Sequence, residues 1–264
     1  MLRARGGALV ALAAMAMISC SNNDDEGGGG AGTLPTVPAT SAPASTSSST
    51  PGVASTVVAS STAAASSTVV PVSVPPGAVG LSPDGPWRLV DSAPGVTTPG
   101  LVYELMPKLW AVIQVEETEQ STYSWTLNDA DRPIIEAYLQ AQLTYFTAVT
   151  SNPINLDLPG WTQFYADGGA AQFVNLQARK NAGQTADLDL GVVYFPEVLS
   201  DERSETTALV ADCFLDGGVF RLPDGTLAPG STPGFVETPW ATRMSLVGER
   251  WVVVEEGSIE GGCI

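Results

Sequence analysis

The sequence of 264 residues contains no histidine. This absence excludes nucleophiles activated by histidine, histidine as a general base, and zinc sites built on imidazole. A metal site would have to consist of oxygen ligands, and no calcium-binding loop of the D-x-D-x-D-G type is present. We therefore expect the protein to hold neither a metal nor a cofactor.

Basic residues are also scarce, with 11 Lys and Arg against 28 Asp and Glu. From residue 85 to the last residue the counts are 9 and 24, a net charge of 9 − 24 = −15. Such a domain repels nucleic acid and anionic lipid headgroups, so we exclude nucleic acid as a partner. The acidity most simply serves solubility, and a specific cationic partner is the alternative. Residues 116–119 and 255–256 are expected to be solvated acidic surface, with weak calcium attraction as the alternative.

Charged and aromatic residues are both missing from residues 27–83, which consist mainly of Ser, Thr, Ala, Pro, Val and Gly. A stretch of this composition cannot bury enough apolar area to offset the entropy of ordering. We predict a disordered tether over residues 20–84. It would space a folded domain from a membrane, and its Ser/Thr/Pro content is also typical of glycosylated stalks.

Residues 1–19 have the pattern of a signal peptide, with Arg3 and Arg5 followed by an apolar stretch over residues 8–18. That stretch is shorter than the roughly 20 residues needed to span a bilayer. It ends in Met17-Ile18-Ser19-Cys20, which resembles the lipobox of bacterial lipoproteins. The resemblance implies a lipid anchor of palmitate-type acyl chains at Cys20, on the extracytoplasmic face of the cell membrane. The alternative is a secretory leader with an incidental cysteine.

The remaining residues predict a mixed fold. Residues 85–127 contain three short strands, the last two joined at Met106-Pro107, and form a short-strand extension. Apolar residues at spacings of three and four predict a helix over residues 128–151, capped by Asp129 or Asp131, and a second over 161–181, broken at Gly168-Gly169.

After residue 185 the period changes to two. This indicates strands around residues 188–194, 207–213, 240–246 and 251–255, with a Gly/Pro-rich arm over 215–239 at the rim of the sheet. The fold class is therefore α+β, with N-terminal helices packed on a curved antiparallel sheet.

Residues 134–139 (IIEAYL), Asp212-Cys213, residues 248–253 (GERWVV) and Cys263 give a more specific expectation. Together they resemble the nuclear transport factor 2-like superfamily, and more closely its secreted lipoproteins in high-GC Gram-positive bacteria. The resemblance covers residues 128–264 and implies a cystatin-like cone. The superfamily contains both enzymes and binding modules, so it does not select a function.

Two cysteines remain once Cys20 is assigned to lipid. Cys213 and Cys263 are an even pair in an exported, oxidising context, which predicts a structural disulfide. A catalytic thiol and a metal pair are the alternatives, and the sequence offers neither a base nor further soft ligands for them.

The cone implies an apolar pocket between the sheet and the first helix. We expect its lining among Tyr138, Tyr145, Phe146, Phe164, Phe173, Trp240 and Trp251, although core packing explains most of these residues equally well.

Three functions follow from this expectation. We favour an envelope module that binds a small apolar ligand or a protein partner without catalysis. An isomerase- or cyclase-like enzyme is the alternative, with Tyr138 or Tyr145 and Asp157 or Asp212 moving a proton. The third is a structural accessory of the cell envelope.

Overall fold

The computed structural model describes residues 73–115 and 125–259. The leader, Cys20, most of the predicted tether, residues 116–124 and Cys263 lie outside them. Within the described part, no helix is long and apolar enough to cross a membrane. In chain order the elements are β1 (Arg88–Val90), β2 (Leu101–Met106), β3 (Leu109–Ile113), α1 (Arg132–Thr150), α2 (Gly160–Phe164), α3 (Ala170–Asn181), β4 (Thr185–Asp187), β5 (Val192–Tyr194), β6 (Glu197–Val198), a 3-10 turn (Ser200–Glu202), β7 (Thr207–Asp216), β8 (Val219–Arg221), β9 (Val236–Val247) and β10 (Arg250–Ser258).

These elements form an α+β fold around one large sheet, in the order β1-β2-β3-β5-β7-β9-β10, with β6 also paired to β7. The three strands of the predicted extension are thus part of the same sheet as the later strands. The expectation of N-terminal helices is wrong for the described chain, because α1 follows three strands.

The sheet is mixed, so the expectation of a purely antiparallel sheet is also wrong. Strands β3 and β5 are parallel, whereas the other described pairs are antiparallel. The chain between β3 and β5 contains all three α-helices, and a long crossover of this kind is what a parallel pair requires. Period-two patterns identify strands but carry no information on which distant strands become neighbours.

Helix α1 buries twelve side chains, which include the predicted apolar face and extend well beyond it. Pro133 lies in its first turn, where a missing N–H costs little. Asp131 occupies the N-cap position, but its side chain does not cap the helix. Instead, Arg203 donates to Asp131 at 2.5 Å, and the Asn128 side chain accepts from the backbone N–H of Asp131 at 3.0 Å. The predicted side-chain cap is therefore absent, and Asn128 instead orders the turn that precedes α1.

The break predicted at Gly168-Gly169 is present, and it separates α2 from α3. Both glycines have positive φ, +68° and +86°, a backbone region that favours glycine. Gly183 follows α3 with φ +67°, and its N–H donates to the Lys180 carbonyl, as expected of a C-terminal glycine. Of the twelve residues in α3, only Leu176 is buried.

Of the strand expected around residues 188–194, only β5 is present, because residues 188–191 form a turn and β4 precedes them. Strand β4 pairs with β8, which lies in the Gly/Pro-rich arm, and β5 joins the large sheet. Gly191, with φ +98°, turns the chain between them. Arg221 of β8 donates to Asp187 of β4 at 2.7 Å, and this bond lowers the pKa of Asp187. The arm thus closes a small second sheet.

The last residues of the predicted tether belong to the fold. Leu81 is buried in the main core, and its N–H donates to the Tyr103 hydroxyl at 3.0 Å. The Ser82 N–H donates to the Glu136 carboxylate on α1 at 2.6 Å. The predicted tether boundary at residue 84 therefore lies inside the folded part. A single leucine in a small-residue stretch has no periodicity by which a sequence could reveal its burial.

The main core lies between α1 and one face of the large sheet, which we call the inner face. Tyr138, Phe146, Tyr194 and Phe214 are all at most 1% exposed there. The opposite, outer face carries a smaller apolar cluster around Val102, Val112 and Val193. The inner face is the one that positions the candidate site.

Candidate functional site

Two of the residues named as candidates from the sequence meet in the main core. The Tyr138 hydroxyl of α1 donates to Asp212 Oδ2 of β7 at 3.0 Å. The other oxygen, Oδ1, accepts from the backbone N–H of Phe195 at 2.8 Å, between β5 and β6. Tyr138 is 0% and Asp212 3% exposed. The pair is therefore fully enclosed, and both carboxyl oxygens are engaged.

Burial dominates the protonation of this pair. Loss of solvation raises the pKa of Asp212 to about 8, although the bonds from Phe195 and Tyr138 oppose the shift. Burial likewise raises the pKa of Tyr138 well above its ordinary value, and the neighbouring Asp212 adds to the shift. At neutral pH the carboxyl is therefore mostly protonated and the pair uncharged.

A second chain of hydrogen bonds lies next to the first. The Tyr194 hydroxyl donates to Gln142 Oε1 at 3.0 Å, and Gln142 Nε2 donates to Glu256 Oε1 at 3.2 Å. Gln172 of α3 donates to the other Glu256 oxygen at 2.5 Å. Burial raises the pKa of Glu256 to about 7, while the bonds from Gln142 and Gln172 lower it. The chain thus joins α1, α3, β5 and β10 through one carboxyl group.

Strand β9 lies between the two carboxyl groups. Strand register pairs Asp212 with Trp240, and Glu256 with Thr242, so these side chains share the inner face. Among the described residues, three successive inner positions of β9 each have a buried side-chain polar atom without a hydrogen-bond partner: Thr238 Oγ1, Trp240 Nε1 and Thr242 Oγ1. We call these three residues the β9 donor row.

The Thr242 hydroxyl also contributes to lowering the pKa of Glu256. It lies near that carboxyl without forming a hydrogen bond of regular geometry. The indole N–H of Trp240 can only donate. A buried donor without an acceptor costs roughly 1–3 kcal/mol. The row is therefore a costly feature of the fold.

The other residues expected to line a pocket lie in the main core or pack against it. Tyr145, Phe146 and Trp251 are buried in the main core, while Phe164 and Phe173 are partly buried against it. The Phe173 ring makes an edge contact with Trp161 at 5.2 Å between centroids. These positions agree with packing, the alternative left open for them.

The candidate Asp157 lies exposed in the loop before α2. The structure thus brings Asp212, and not Asp157, to a tyrosine.

Glu256 was expected at the surface and is instead 9% exposed. A bulge between Val253 and Glu255 inserts one extra residue, so that the inward positions change from odd to even numbers. Without the bulge, alternation from Trp251 would turn Glu255 inward. The sequence holds no clear signal for the bulge, although the unbroken run Val252-Val253-Val254 shows that alternation fails there. Gln142, Gln172 and Tyr194 look like ordinary helix or strand residues in the sequence pattern, so the pattern does not predict their hydrogen bonds.

A surface groove of about 300 Å³ lies at the C-terminal end of α3, lined by Asn175, Ala178, Arg179 and Gln184. Arg179 lies over the Phe220 ring at 3.7 Å and donates to Gln184 at 3.1 Å. These contacts make Arg179 a link between α3 and β8.

Cys213 is disulfide-bonded and half-buried on the outer face of β7. Its predicted partner Cys263 and the predicted lipid site Cys20 both lie outside the described residues. The Cys213–Cys263 pairing and the anchor therefore stay predictions. Within the described residues, no group of three or more Cys, Asp or Glu side chains is arranged to hold a metal ion.

No family model matches the chain, and no curated protein matches it.

Proposed function

We propose that the protein is an extracytoplasmic lipoprotein, anchored through Cys20, whose domain binds a small and largely apolar ligand without catalysis. The ligand lies between α1 and the inner face, in the interior of a nuclear transport factor 2-like cone. The observation that supports this proposal is the β9 donor row. Thr238 and Trp240 each bury a polar atom without a hydrogen-bond partner, and Thr242 lies beside them; a molecule that supplies acceptors explains this most simply.

The row also suggests the chemistry of the ligand. Alternate residues of a strand are about 6.6 Å apart, so three such positions span about 13 Å. The ligand is accordingly elongated and carries acceptor oxygens, such as carbonyl, ether or hydroxyl groups. It is uncharged or weakly basic, because Asp212 and Glu256 flank the row and an anion would repel their ionised forms.

Helix α3 is the element that covers this region most loosely. It is attached by the buried Leu176, by Phe173 against Trp161, by Arg179 over the Phe220 ring and by the bond from Gln172 to Glu256. It begins after the two glycines Gly168 and Gly169. By contrast, α1 buries twelve residues. We infer that the ligand enters by displacement of α3.

Binding is favoured over catalysis because the Tyr138–Asp212 pair is fully enclosed in the core. A general base must reach the proton that it removes, and both Asp212 oxygens already accept hydrogen bonds. The same pair keeps an isomerase-like activity as the second candidate, since a protonated carboxyl next to a phenol can stabilise a developing oxyanion. A structural accessory is the third candidate and needs no ligand at all.

The test is native mass spectrometry of the full-length protein, extracted in mild detergent from the bacterium that exports it. We expect a bound small molecule in the parent protein. The double variant Thr238→Val/Thr242→Val removes two unpartnered hydroxyls at nearly constant volume. It should retain about tenfold less of this molecule, because two hydrogen bonds to the ligand are lost.

The matched control is Thr162→Val/Thr207→Val, at two exposed positions. A parent protein that carries no small molecule, or a double variant that retains as much as the parent, contradicts the proposal.

Catalysis is tested separately with Asp212→Asn and the exposed control Asp157→Asn, in a strain with a phenotype for loss of the protein. If Asp212→Asn stays folded and still binds the molecule but abolishes function, the enzyme becomes the leading candidate.

A further inference from the structure

The outer face of the large sheet carries an apolar surface that the proposed ligand site does not use. Strand pairing places Val90 opposite Val102 and Val102 opposite Val112, while Val193 lies opposite Trp110 and Leu215. They form a cluster separate from the main core. Val102, Val112 and Val193 are buried, so the surface available to a partner is the exposed margin of this cluster.

The exposed margin of this cluster is a continuous strip formed by Trp110, Leu190, Leu215 and Phe235, which we call the outer strip. The side chains of this strip pack closely on glycines. A methyl group at Gly217 would lie 2.8 Å from Leu190 Cβ and 2.9 Å from Phe235 Cε1, and one at Gly95 would lie 3.3 Å from Leu215 Cδ1.

Trp110 packs in the same way on Gly191, which directly follows Leu190. Leu190 is 44% and Phe235 39% exposed. A leucine and an aromatic ring that both lie against Gly217 at the surface are more informative than scattered apolar residues, because contiguous exposed patches usually mark interaction sites.

Charge indicates what the strip can accept. Asp91, Asp189 and Glu237 lie next to it: Asp91 follows Val90, Asp189 precedes Leu190, and Glu237 is paired in register with Leu215. The nearby Lys108 donates to the Asp189 carbonyl at 2.8 Å. Arg88 is paired with Glu104, so their charges cancel. The margin of the strip is therefore net acidic.

This acidic margin argues against two other occupants. A second copy of the chain would bring like charges together, and an anionic lipid surface would be repelled. We propose that the outer strip docks an apolar segment of a protein partner that carries Lys or Arg between its apolar residues. Its apolar side chains cover Leu190 and Phe235, and its cations meet Asp91, Asp189 and Glu237.

The test uses the full-length protein with a photoreactive amino acid incorporated at position 235, cross-linked in the exporting bacterium. The matched control places the same amino acid at position 174, since Val174 is 75% exposed on α3 and far from the sheet's outer face. We expect a cross-link from position 235 only, and peptide mapping should locate it to a segment with Lys or Arg among apolar residues. A cross-link to a second copy, to lipid or to an acidic segment overturns the proposal, as does no cross-link.

A synthetic peptide with the mapped sequence then tests the contacts. Leu190→Ser and the double variant Asp91→Asn/Glu237→Gln should each weaken its binding about tenfold, and the charge variant should also reduce the dependence of binding on salt. Val174→Ser should bind like the parent protein. Unchanged affinity in both strip variants would place the partner elsewhere and overturn the proposal.

Discussion

At the scale of single residues, burial strongly changes the titration of Asp212. Its pKa of about 8 in the folded domain lies far above the ordinary value of 3.8. Glu256 and Glu197, each raised to about 7, and Asp216, raised to about 6, depart in the same direction. Burial is the principal cause in each case, and it shifts the titration of all four carboxyl groups towards the protonated form.

This direction predicts how stability depends on pH. Between roughly pH 4 and pH 8 the folded domain binds more protons than the unfolded chain, so its free energy of unfolding falls as the pH rises. The contribution of Asp212 is fully present below about pH 4 and is lost as the pH passes its folded value of about 8. We expect urea midpoints to be lower at pH 8.5 than at pH 5.5.

Asp212→Asn should reduce this decline by about 2 kcal/mol, because an amide stays neutral throughout the range. Denaturation curves of the parent and the variant at both pH values measure it, with the exposed Asp157→Asn as the control. A decline of equal size in parent and Asp212→Asn would show that this carboxyl does not titrate as its burial requires.

The sequence named Tyr138 and Asp212 among its candidates but could not choose between them and their alternatives. Tyr138 and Tyr145 were equal candidates, as were Asp157 and Asp212. Tyr138 contacts Asp212 because α1 crosses the inner face at that point. Glu256 could not be found at all, because its burial depends on a one-residue bulge.

At the scale of elements, α1 and α3 differ in how firmly they are held. α1 buries twelve side chains, whereas α3 buries Leu176 alone. Local opening is easiest where few apolar contacts must break, so we expect the amides of α3 to exchange with deuterium much earlier than those of α1.

Gln172→Ala removes the bond to Glu256 and should speed exchange in α3 about fivefold, with α1 unaffected. Hydrogen–deuterium exchange with mass spectrometry gives this comparison directly. The control is Gln177→Ala, since Gln177 is exposed and bonds only to Asn181 within the same helix. Equal protection of α3 in the parent and in Gln172→Ala would show that Gln172 does not hold the helix over the site.

Local signals predicted most elements well. The hairpin of β2 and β3, the helix over residues 132–150, the glycine break before α3 and the hairpin of β9 and β10 all appear close to their expected places. Their signals are turns and periodicities of a few residues. The parallel pairing of β3 with β5 and the second sheet of β4 and β8 depend on contacts between distant residues, which no local pattern encodes.

At the scale of the whole molecule, the anchor gives a direct prediction. Cys20→Ala should move the protein from the membrane fraction to the soluble fraction or the medium, because the lipid chains would no longer be attached. Fractionation followed by immunoblotting measures the change. Cys213→Ala serves as the control for loss of a cysteine and should leave the protein with the membrane. Persistent membrane binding of Cys20→Ala would contradict the lipoprotein assignment.

The predicted disulfide also concerns the whole chain, since it would join β7 to the last residues. Mass analysis of a tryptic digest without reduction should show the peptides of Cys213 and Cys263 linked, and alkylation should find no free thiol at either position. The chain-entropy relation assigns roughly 4 kcal/mol to a loop of this length. Reduction should therefore lower the thermal midpoint, and two alkylated cysteines in freshly exported protein would refute the pairing.

The sequence by itself determined the α+β class, the approximate places of most elements and the exclusion of histidine chemistry, because composition and short-range periodicity are properties of the chain. It also supplied the expectations of a leader, a lipid anchor and a tether. The tertiary structure alone decided that β1–β3 join the large sheet, that Asp212 lies against Tyr138, and that Thr238, Trp240 and Thr242 share one buried face. These facts depend on strand register, a bulge and the crossing of α1 over the sheet, and each is set by packing between residues far apart in the chain.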